Sequence, residues 1–377
     1  MRTEKYQNFT LLIDGKNAFP VILSAVEKAE KSLEINMFIW RDDEIGNRLA
    51  QAVLSAAERG VKVLLSVDKY GSVLEHVEEN RLSFFHKKTD FSEKAKIWGL
   101  TVFYPEHRQG RRPRDCESEL YQKILFHPNI TLEKDIFKAD HSKFYIIDGK
   151  TLFLGGINVE DKECGKDRQG RIYQDYMVRI DGEEFVENFK AKREKGVDLS
   201  SEYFFGMNLK SAPNRFEMEG KYLALIREAK REITIVMAYF SPLKNFIQAL
   251  VEASNRGVRV RVMMPKRANF QNDTNYKTAR TLLKNSGGKI EIYFTEKMAH
   301  TKLVCTDEWC SFGSTNITSK AFEQLDELNL FVKNQPCPFT NDLKKSVEEN
   351  FALAERVNDY KKIKYNHFKM RIESLLV

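Results

Sequence analysis

The chain has 377 residues, 42% hydrophobic and 31% charged, with 26 Phe and 14 Tyr. That apolar and aromatic content excludes a disordered chain and suffices for one large domain or two of ordinary size. Lys and Arg outnumber Asp and Glu by 61 to 54, and the net charge of +7 favours anionic partners, nucleic acid and anionic lipid alike.

In chain order, the opening MRTEKYQNFTLLIDG carries no apolar core of signal-peptide length. No uninterrupted apolar run approaches the ~18 residues needed to span a bilayer, so the expectation is a soluble protein or one bound at a membrane surface. The stretch from Ala29 to Lys69 reads as the end of a helix, an apolar strand, a second helix, Arg-Gly-Val and another strand. The second helix gathers Ile45, Leu49, Ala52, Val53 and Ala56 on one face, and Gly60 sits where a helix C-terminus wants glycine. Residues of about 72–135 read as an insertion. It contains RQGRRPR, whose Arg108, Arg111, Arg112 and Arg114 are candidate membrane- or anion-binding residues, and the apolar Ile124 to Phe126.

Next comes HSKFYIIDGKTLFLGG, with His141 and Lys143 two apart on a predicted strand and so on one face. Asp148-Gly149 has the chemistry of a hairpin turn, the returning strand leads to Gly156 and Asn158, and a carboxylate, Asp175, lies downstream. A first domain is expected over residues 1–190, followed by a linker over 191–219.

The second domain, 220–335, repeats the order. Ala229 to Lys266 echoes the earlier stretch, with Phe246, Leu250 and Ala253 as the helix face and Gly257 as its end. HTKLVCTD then supplies His300, Lys302 and Asp307, followed by Ser314, Asn316 and Glu327. Asparagine follows histidine by 17 residues in the first copy and 16 in the second. Alternating helices and strands imply crossover units and a largely parallel sheet. Residues 336–377 form a basic amphipathic segment, in which Lys361, Lys362, Lys364, Lys369 and Arg371 alternate with apolar residues. It suits a membrane interface, or a docked helix with a solvated basic face. The five cysteines, Cys116, Cys164, Cys305, Cys310 and Cys337, are odd in number and lack a C-x-x-C pair, so neither disulfides nor zinc are expected and a reducing compartment fits.

A lone His or Lys is usually structural; two copies of His-x-Lys-x4-Asp with a following Gly-Gly/Ser-x-Asn are not a coincidence of composition. The duplicated pattern resembles the phospholipase D superfamily over nearly the whole chain. NMFIWRDDEIGNRLAQ, GGINVE, QDYMVRIDG and YFSP look further like bacterial cardiolipin synthases, best those without N-terminal transmembrane helices. The resemblance implies an α/β fold: two homologous phospholipase D-like α/β/α repeats packed about a pseudo-twofold axis with one shared active site. It also implies a phosphatidyltransferase of the cardiolipin synthase type, working through a covalent phosphohistidine. A nuclease or phosphodiesterase acting on nucleic acid is the alternative.

The chemistry fits these residue types. Lys143 and Lys302 would neutralise a phosphodiester, Asn158 and Asn316 would donate hydrogen bonds to it, and one imidazole would attack while the other protonates the leaving alkoxide. By resemblance His141 is the nucleophile, His300 the acid and then base, and Asp175 and Glu327 orient the imidazoles. Asp148 and Asp307 read as turn residues, with Gly156 and Ser314 in support. No metal is expected, because the lysine ammonium beside each histidine opposes a cation, and no cofactor is expected. The implied partners are a phospholipid such as phosphatidylglycerol and an anionic membrane, and the implied place is cytoplasmic, peripheral on the inner face of the cell membrane. A bell-shaped pH profile follows if one histidine is neutral and the other protonated in the free enzyme. The chain departs from the family pattern at Gly156, where many members have serine, and at Ala321, also often serine. Asp175 also lies farther from its histidine than Glu327 does.

Overall fold

The computed structural model describes residues 6–78, 83–86, 88–107, 118–211 and 215–376. The four candidate arginines, Arg108, Arg111, Arg112 and Arg114, and Cys116 lie outside the described residues.

The first half runs β1 (Phe9–Ile13), α1 (Gly15–Glu27), β2 (Ser32–Met37), α2 (Glu44–Glu58), β3 (Lys62–Val67), α3 (Lys69–Val77), α4 (Phe91–Phe103), α5 (Glu119–Leu125), β4 (Ile130–Glu133), β5 (Phe144–Ile147), β6 (Thr151–Gly155), β7 (Tyr173–Gln174), β8 (Tyr176–Asp181) and α6 (Glu183–Lys195). The second half runs β9 (Tyr203–Asn208), α7 (Met218–Glu228), β10 (Glu232–Met237), β11 (Phe240–Ser241), α8 (Lys244–Asn255), β12 (Arg259–Pro265), α9 (Asn272–Asn285), β13 (Glu291–Thr295), β14 (Met298–Ala299) and β15 (Lys302–Thr306). It continues through β16 (Trp309–Gly313), β17 (Ile317–Thr318), α10 (Ser319–Glu323), β18 (Glu327–Lys333), α11 (Pro338–Leu353), β19 (Glu355–Val357) and α12 (His367–Leu376).

Local chemistry explains the repeated unit. Asp43 caps α2 by accepting from the Gly46 N–H, and the expected apolar face from Ile45 to Ala56 is buried. Gly60 and Gly257 follow their helices at φ 99° and 90°, the left-handed region that lets each chain turn sharply into β3 or β12. The resulting sheets are copies of one another. The first has the order β1-β8-β6-β5-β2-β3-β4; the second, β9-β18-β16-β15-β10-β12-β13, ends with one added strand, β19.

Each sheet is mixed rather than largely parallel. β2, β3 and β4 pair in parallel, as do β10, β12 and β13, but the remaining ladders of the common order are antiparallel. The physical reason is the motif hairpin. Asp148 and Gly149, at φ 54° and 68°, turn β5 directly back into β6, where a crossover would have kept the strands parallel.

Three further expectations change. The linker stretch holds β9, the edge strand of the second sheet paired with β18, because Tyr203, Phe205 and Met207 alternate inward to the core shared with the first half. The expected insertion ends before β4, which pairs with β3 as β13 pairs with β12, so the added elements are α3, α4 and α5, where the second half has α9. A disulfide joins Cys305 to Cys310. These residues stand opposite each other in the β15–β16 ladder, a hairpin register that cysteine counting does not reveal. The compartment argument from unpaired thiols therefore fails, although Cys164 and Cys337 are free.

The halves share a core. Phe144, Leu152 and Val178 from the first sheet meet Leu303, Phe312 and Leu330 from the second. Burying each such side chain stabilises the fold by roughly 1.5–3 kcal/mol, which fixes the two halves as one body. The basic tail is docked. Ile363 enters the second core, and α12 packs on α9, where the buried Glu373 accepts from the backbone and hydroxyl of Thr274 at 2.8 and 3.0 Å. Lys361, Lys362 and Lys364 remain exposed.

Candidate active site

Each His-x-Lys segment is stitched to the opposite half by main-chain bonds. The His141 N–H donates to the Asp326 carbonyl at 2.8 Å, and the Thr301 N–H donates to the Gln174 carbonyl at 3.1 Å. Asp326 immediately precedes Glu327, and Gln174 immediately precedes Asp175. The stitching therefore delivers each carboxylate to the other half's histidine. His141 Nδ1 lies 3.1 Å from both oxygens of Glu327. His300 Nδ1 lies 3.0 Å from Asp175 Oδ2 and 3.3 Å from Glu163 Oε1, ion-pair separations without hydrogen-bond alignment. The motifs lie at the start of β5 and β15, with His141 and His300 just outside the strands.

Lys143 and Lys302 are fully buried, and each ammonium donates to the carbonyl of its own motif histidine. Lys302 also reaches Asp175 Oδ2 at 3.3 Å, while Lys143 lies 5.1 Å from the centre of the Phe38 ring. Asn158 and Asn316 are buried in the cavity wall, and the Oδ1 atom of each lacks a protein partner. Each unpaired Oδ1 leaves hydrogen-bonding capacity for a ligand.

Two sequence departures compensate each other. Ser314 donates to Glu327 Oε2, whereas a Cβ on Gly156 would fall 2.2 Å from Asp175 Oδ2. Asp175 occupies the space that a serine would need, so glycine accompanies aspartate in one half and serine accompanies glutamate in the other. Asp148 and Asp307 lie away from the chemistry. Asp148 accepts from the backbone N–H groups of Glu30, Lys31 and Ser32, and Asp307 from those of Lys230, Arg231 and Glu232. These acids hold the first residues of β2 and β10 against the motif hairpins.

The electrostatics follow from burial. Burial lowers the pKa of His141, with Glu327 opposing it and Lys143 and Lys302 adding to it. Burial together with Lys302, Lys162 and Lys143 takes His300 well below the ordinary imidazole value. Burial and the neighbouring Lys302 bring Lys143 down to about 7, and burial raises Asp175 to about 6 against the pull of Lys302. Glu163 is raised well above the carboxylate range by burial, then by Glu160 and Asp175. Burial and the two lysines disfavour the imidazolium form of both histidines, which runs against the expected one-charged, one-neutral pair. The expectation rested on the reaction's needs and omitted the cost of burying an imidazolium beside two lysines.

Both histidines and both asparagines open onto one cavity of about 150 Å³. Its wall is aromatic and aliphatic, including Phe38, Tyr70, Leu100, Tyr104, Tyr239 and Phe270. Glu78, Glu160 and Lys162 add charged groups to the lining. Behind them Arg41 contacts Glu160 at 2.5 Å and Glu78 at 3.0 Å, and Lys162 also pairs with both acids. Sequence reasoning missed this network and Glu163. WRDD and NVEDKE signalled charge beside apolar strands, but nothing local paired the two segments. Among the described residues no group of three or more His, Cys, Asp or Glu is arranged to hold a metal ion, and no helix is long and apolar enough to cross a membrane.

A family model for the cardiolipin synthase, PLD-like domain matches residues 22–196 and 222–352. A cardiolipin synthase of Clostridium perfringens is 27% identical over 367 residues, covering 90% of this chain and 69% of the relative. Cardiolipin synthase B of Escherichia coli is 25% identical over 352 residues, covering 86% and 76%. Phosphatidylserine synthase of Haemophilus influenzae shares the fold, with a TM-score of 0.67 at 12% identity over 99% of this chain and 92% of that one. The family match falls once on each half, and each half brings one His-x-Lys motif to the shared cavity: the chain belongs to the cardiolipin synthase, PLD-like domain family.

Proposed function

We propose that the protein transfers a phosphatidyl group from an anionic phospholipid such as phosphatidylglycerol to an alcohol acceptor, at the inner face of the cell membrane. The observation that carries this reading is the crossed pairing of two histidines with opposite-half carboxylates at the foot of one apolar-walled cavity. Glu327 holds the Nδ1 proton of neutral His141 and leaves Nε2 free to attack phosphorus. The P–N bond forms as the P–O bond to the departing headgroup breaks, and the alkoxide takes a proton from His300. In the second step His300 removes the acceptor's hydroxyl proton, the acceptor oxygen attacks phosphorus, and the P–N bond breaks. Lys143 and Lys302 offset charge on the non-bridging oxygens throughout. The anionic diester itself stabilises His300 in its protonated form, which burial disfavours. Incubating the purified protein with phosphatidylglycerol vesicles or single-stranded DNA, and identifying products by mass spectrometry, tests the reading. Cleaved DNA with intact lipid would overturn it in favour of a nuclease.

Turnover is expected to survive EDTA, since the two lysines already supply the cationic charge. The check uses a monomeric, soluble diester, so that metal-induced lipid clustering plays no part. Complete loss in EDTA, restored by Mg²⁺ or Zn²⁺, would contradict the lysine role.

The pH dependence of kcat/KM should be a narrow bell. Below about 6 Asp175 becomes protonated and its charge beside His300 is lost. Above about 7 the Lys143 ammonium deprotonates and the site loses a cation. A bound anion holds the proton on Lys143, so the alkaline limb of kcat should lie at higher pH than that of kcat/KM. A kcat/KM flat from pH 6 to 9 would refute this account, whose two limbs belong to a coupled set of groups.

A further inference from the structure

We propose that helix α4 is the membrane-docking element: it lies in the plane of an anionic bilayer surface, sets its outer apolar stripe among the acyl chains, and contributes Leu100 of its inner face to the cavity wall. This rests on the lipid-substrate reading above. Phe91, Ala95, Trp98 and Val102 follow the i, i+4, i+7, i+11 spacing of a single helical stripe. That stripe faces solvent: Phe91 is 88% exposed, Trp98 70% and Val102 50%. A surface helix normally turns such a stripe inward.

The inner face of α4 is already occupied. Ile97, Leu100 and Phe103 pack against a small cluster formed by Val77, Tyr104 and Phe270, and Leu100 also lines the catalytic cavity. The helix is therefore apolar on two sides, one belonging to the site and the other without a protein partner among the described residues. Its N-terminus is well anchored. Asp90 and Glu93 form a reciprocal capping box, and Lys69 reaches both acids at 3.5 and 3.6 Å. Such a firmly capped helix can carry exposed aromatics without unravelling.

Charge identifies the occupant. Lys94 and Lys96 are exposed on the helix, and both Lys69 and Lys96 lie over the ring of Phe137, at 5.0 and 5.4 Å. Phe137 and Ile136 are themselves exposed, at 42% and 57%, so aromatic, aliphatic and cationic groups alternate around α4. Arg108 follows the helix end by five residues in sequence. Large apolar side chains interleaved with lysines suit an anionic lipid interface, where the rings enter the acyl region and the ammonium groups meet phosphates. A second copy of the chain fits less well. Phe91, Trp98 and Val102 together expose roughly 400–500 Å², below the ~800 Å² per partner of a stable protein interface, and facing copies would bring like charges together. The docked tail, with Glu373 buried against α9, is not required for this contact.

Trp98 is one of three tryptophans, and it provides its own probe; Trp40 is fully buried and Trp309 lies on β16. On adding phosphatidylglycerol vesicles, tryptophan emission should shift to the blue and be quenched by bromine-labelled acyl chains, and Trp98→Phe should abolish both changes. A Phe91→Ser/Trp98→Ser variant should lose about tenfold or more in vesicle affinity and raise KM on vesicles by a similar factor. Its kcat/KM on a short-chain, monomeric diester should stay within about twofold of wild type, since neither residue touches the reacting groups. Vesicle pelleting by the double variant equal to wild type would overturn the docking role. So would a blue shift that appears without lipid as protein concentration rises, which would assign the stripe to a second copy. If Trp98 enters vesicles while wild type leaves both the vesicle lipid and the soluble diester unchanged, the docking surface stands and the transferase reading falls.

Discussion

Replacing His141 or His300 with alanine is expected to lower kcat by at least about 10³-fold, because each removes a group that no neighbour can replace. The loss corresponds to about 4 kcal/mol or more of transition-state stabilisation. The two variants should fail differently. A substrate whose leaving group needs no proton should restore the first step in His300→Ala but not in His141→Ala. The His300 variant should then accumulate a phosphatidyl group on His141, since the base for the second step is missing. Intact-mass measurement and peptide mapping read this directly, and far-UV circular dichroism confirms that the fold persists. Trapping on His300 in the His141 variant would reverse the roles. Near-wild-type kcat in either folded variant would defeat the shared site itself. Neither half expressed alone should turn over, because each histidine depends on a carboxylate from the other.

Arg41→Met is expected to destabilise the fold by about 3–5 kcal/mol, as breaking a buried ion pair leaves carboxylates without their cation. The guanidinium is buried against Glu78 and Glu160 and also donates to the carbonyls of Glu75 and Glu78. Burial works against the Glu78 carboxylate, yet Lys162 and Arg41 outweigh it and hold its pKa well below the usual value. Removing Arg41 leaves Lys162 alone between two acids. Because Glu78 follows α3 and Glu160 follows the first-motif asparagine, the cavity wall should loosen with the loss of stability. Urea unfolding of wild type, Arg41→Met and Arg41→Met/Glu160→Gln measures the effect. The double variant should recover part of the loss, having one less unpaired charge. A single-variant loss below about 1 kcal/mol would show that the network contributes little.

The repeated order of elements, the helix faces, the two glycine C-termini, the motif hairpin and the eight side chains proposed for the chemistry could all be picked out in the sequence. Each is a short-range pattern written twice, and duplication separates signal from chance. The tertiary structure decided everything that depends on residues far apart in the chain. Glu327 serves His141 across 186 positions, and Asp175 serves His300 from the other half, because main-chain bonds at Asp326 and Gln174 bring those strands together. The disulfide depends on hairpin register, and β9 on a partner strand more than a hundred residues away. The lowered pKa of both imidazoles depends on burial beside lysines of both motifs. The tail's basic, apolar alternation is compatible with a membrane or a protein surface, and its docking was settled by Glu373 finding Thr274. Helix α4 was not read from the sequence at all: it lies within the stretch taken as an insertion, and only the fold reveals an apolar stripe that faces outward beside the cavity. Local periodicity specifies the elements because it is set by backbone geometry. Partner choice, burial and charge state are set by which elements meet, and a single chain read from end to end does not contain that contact map.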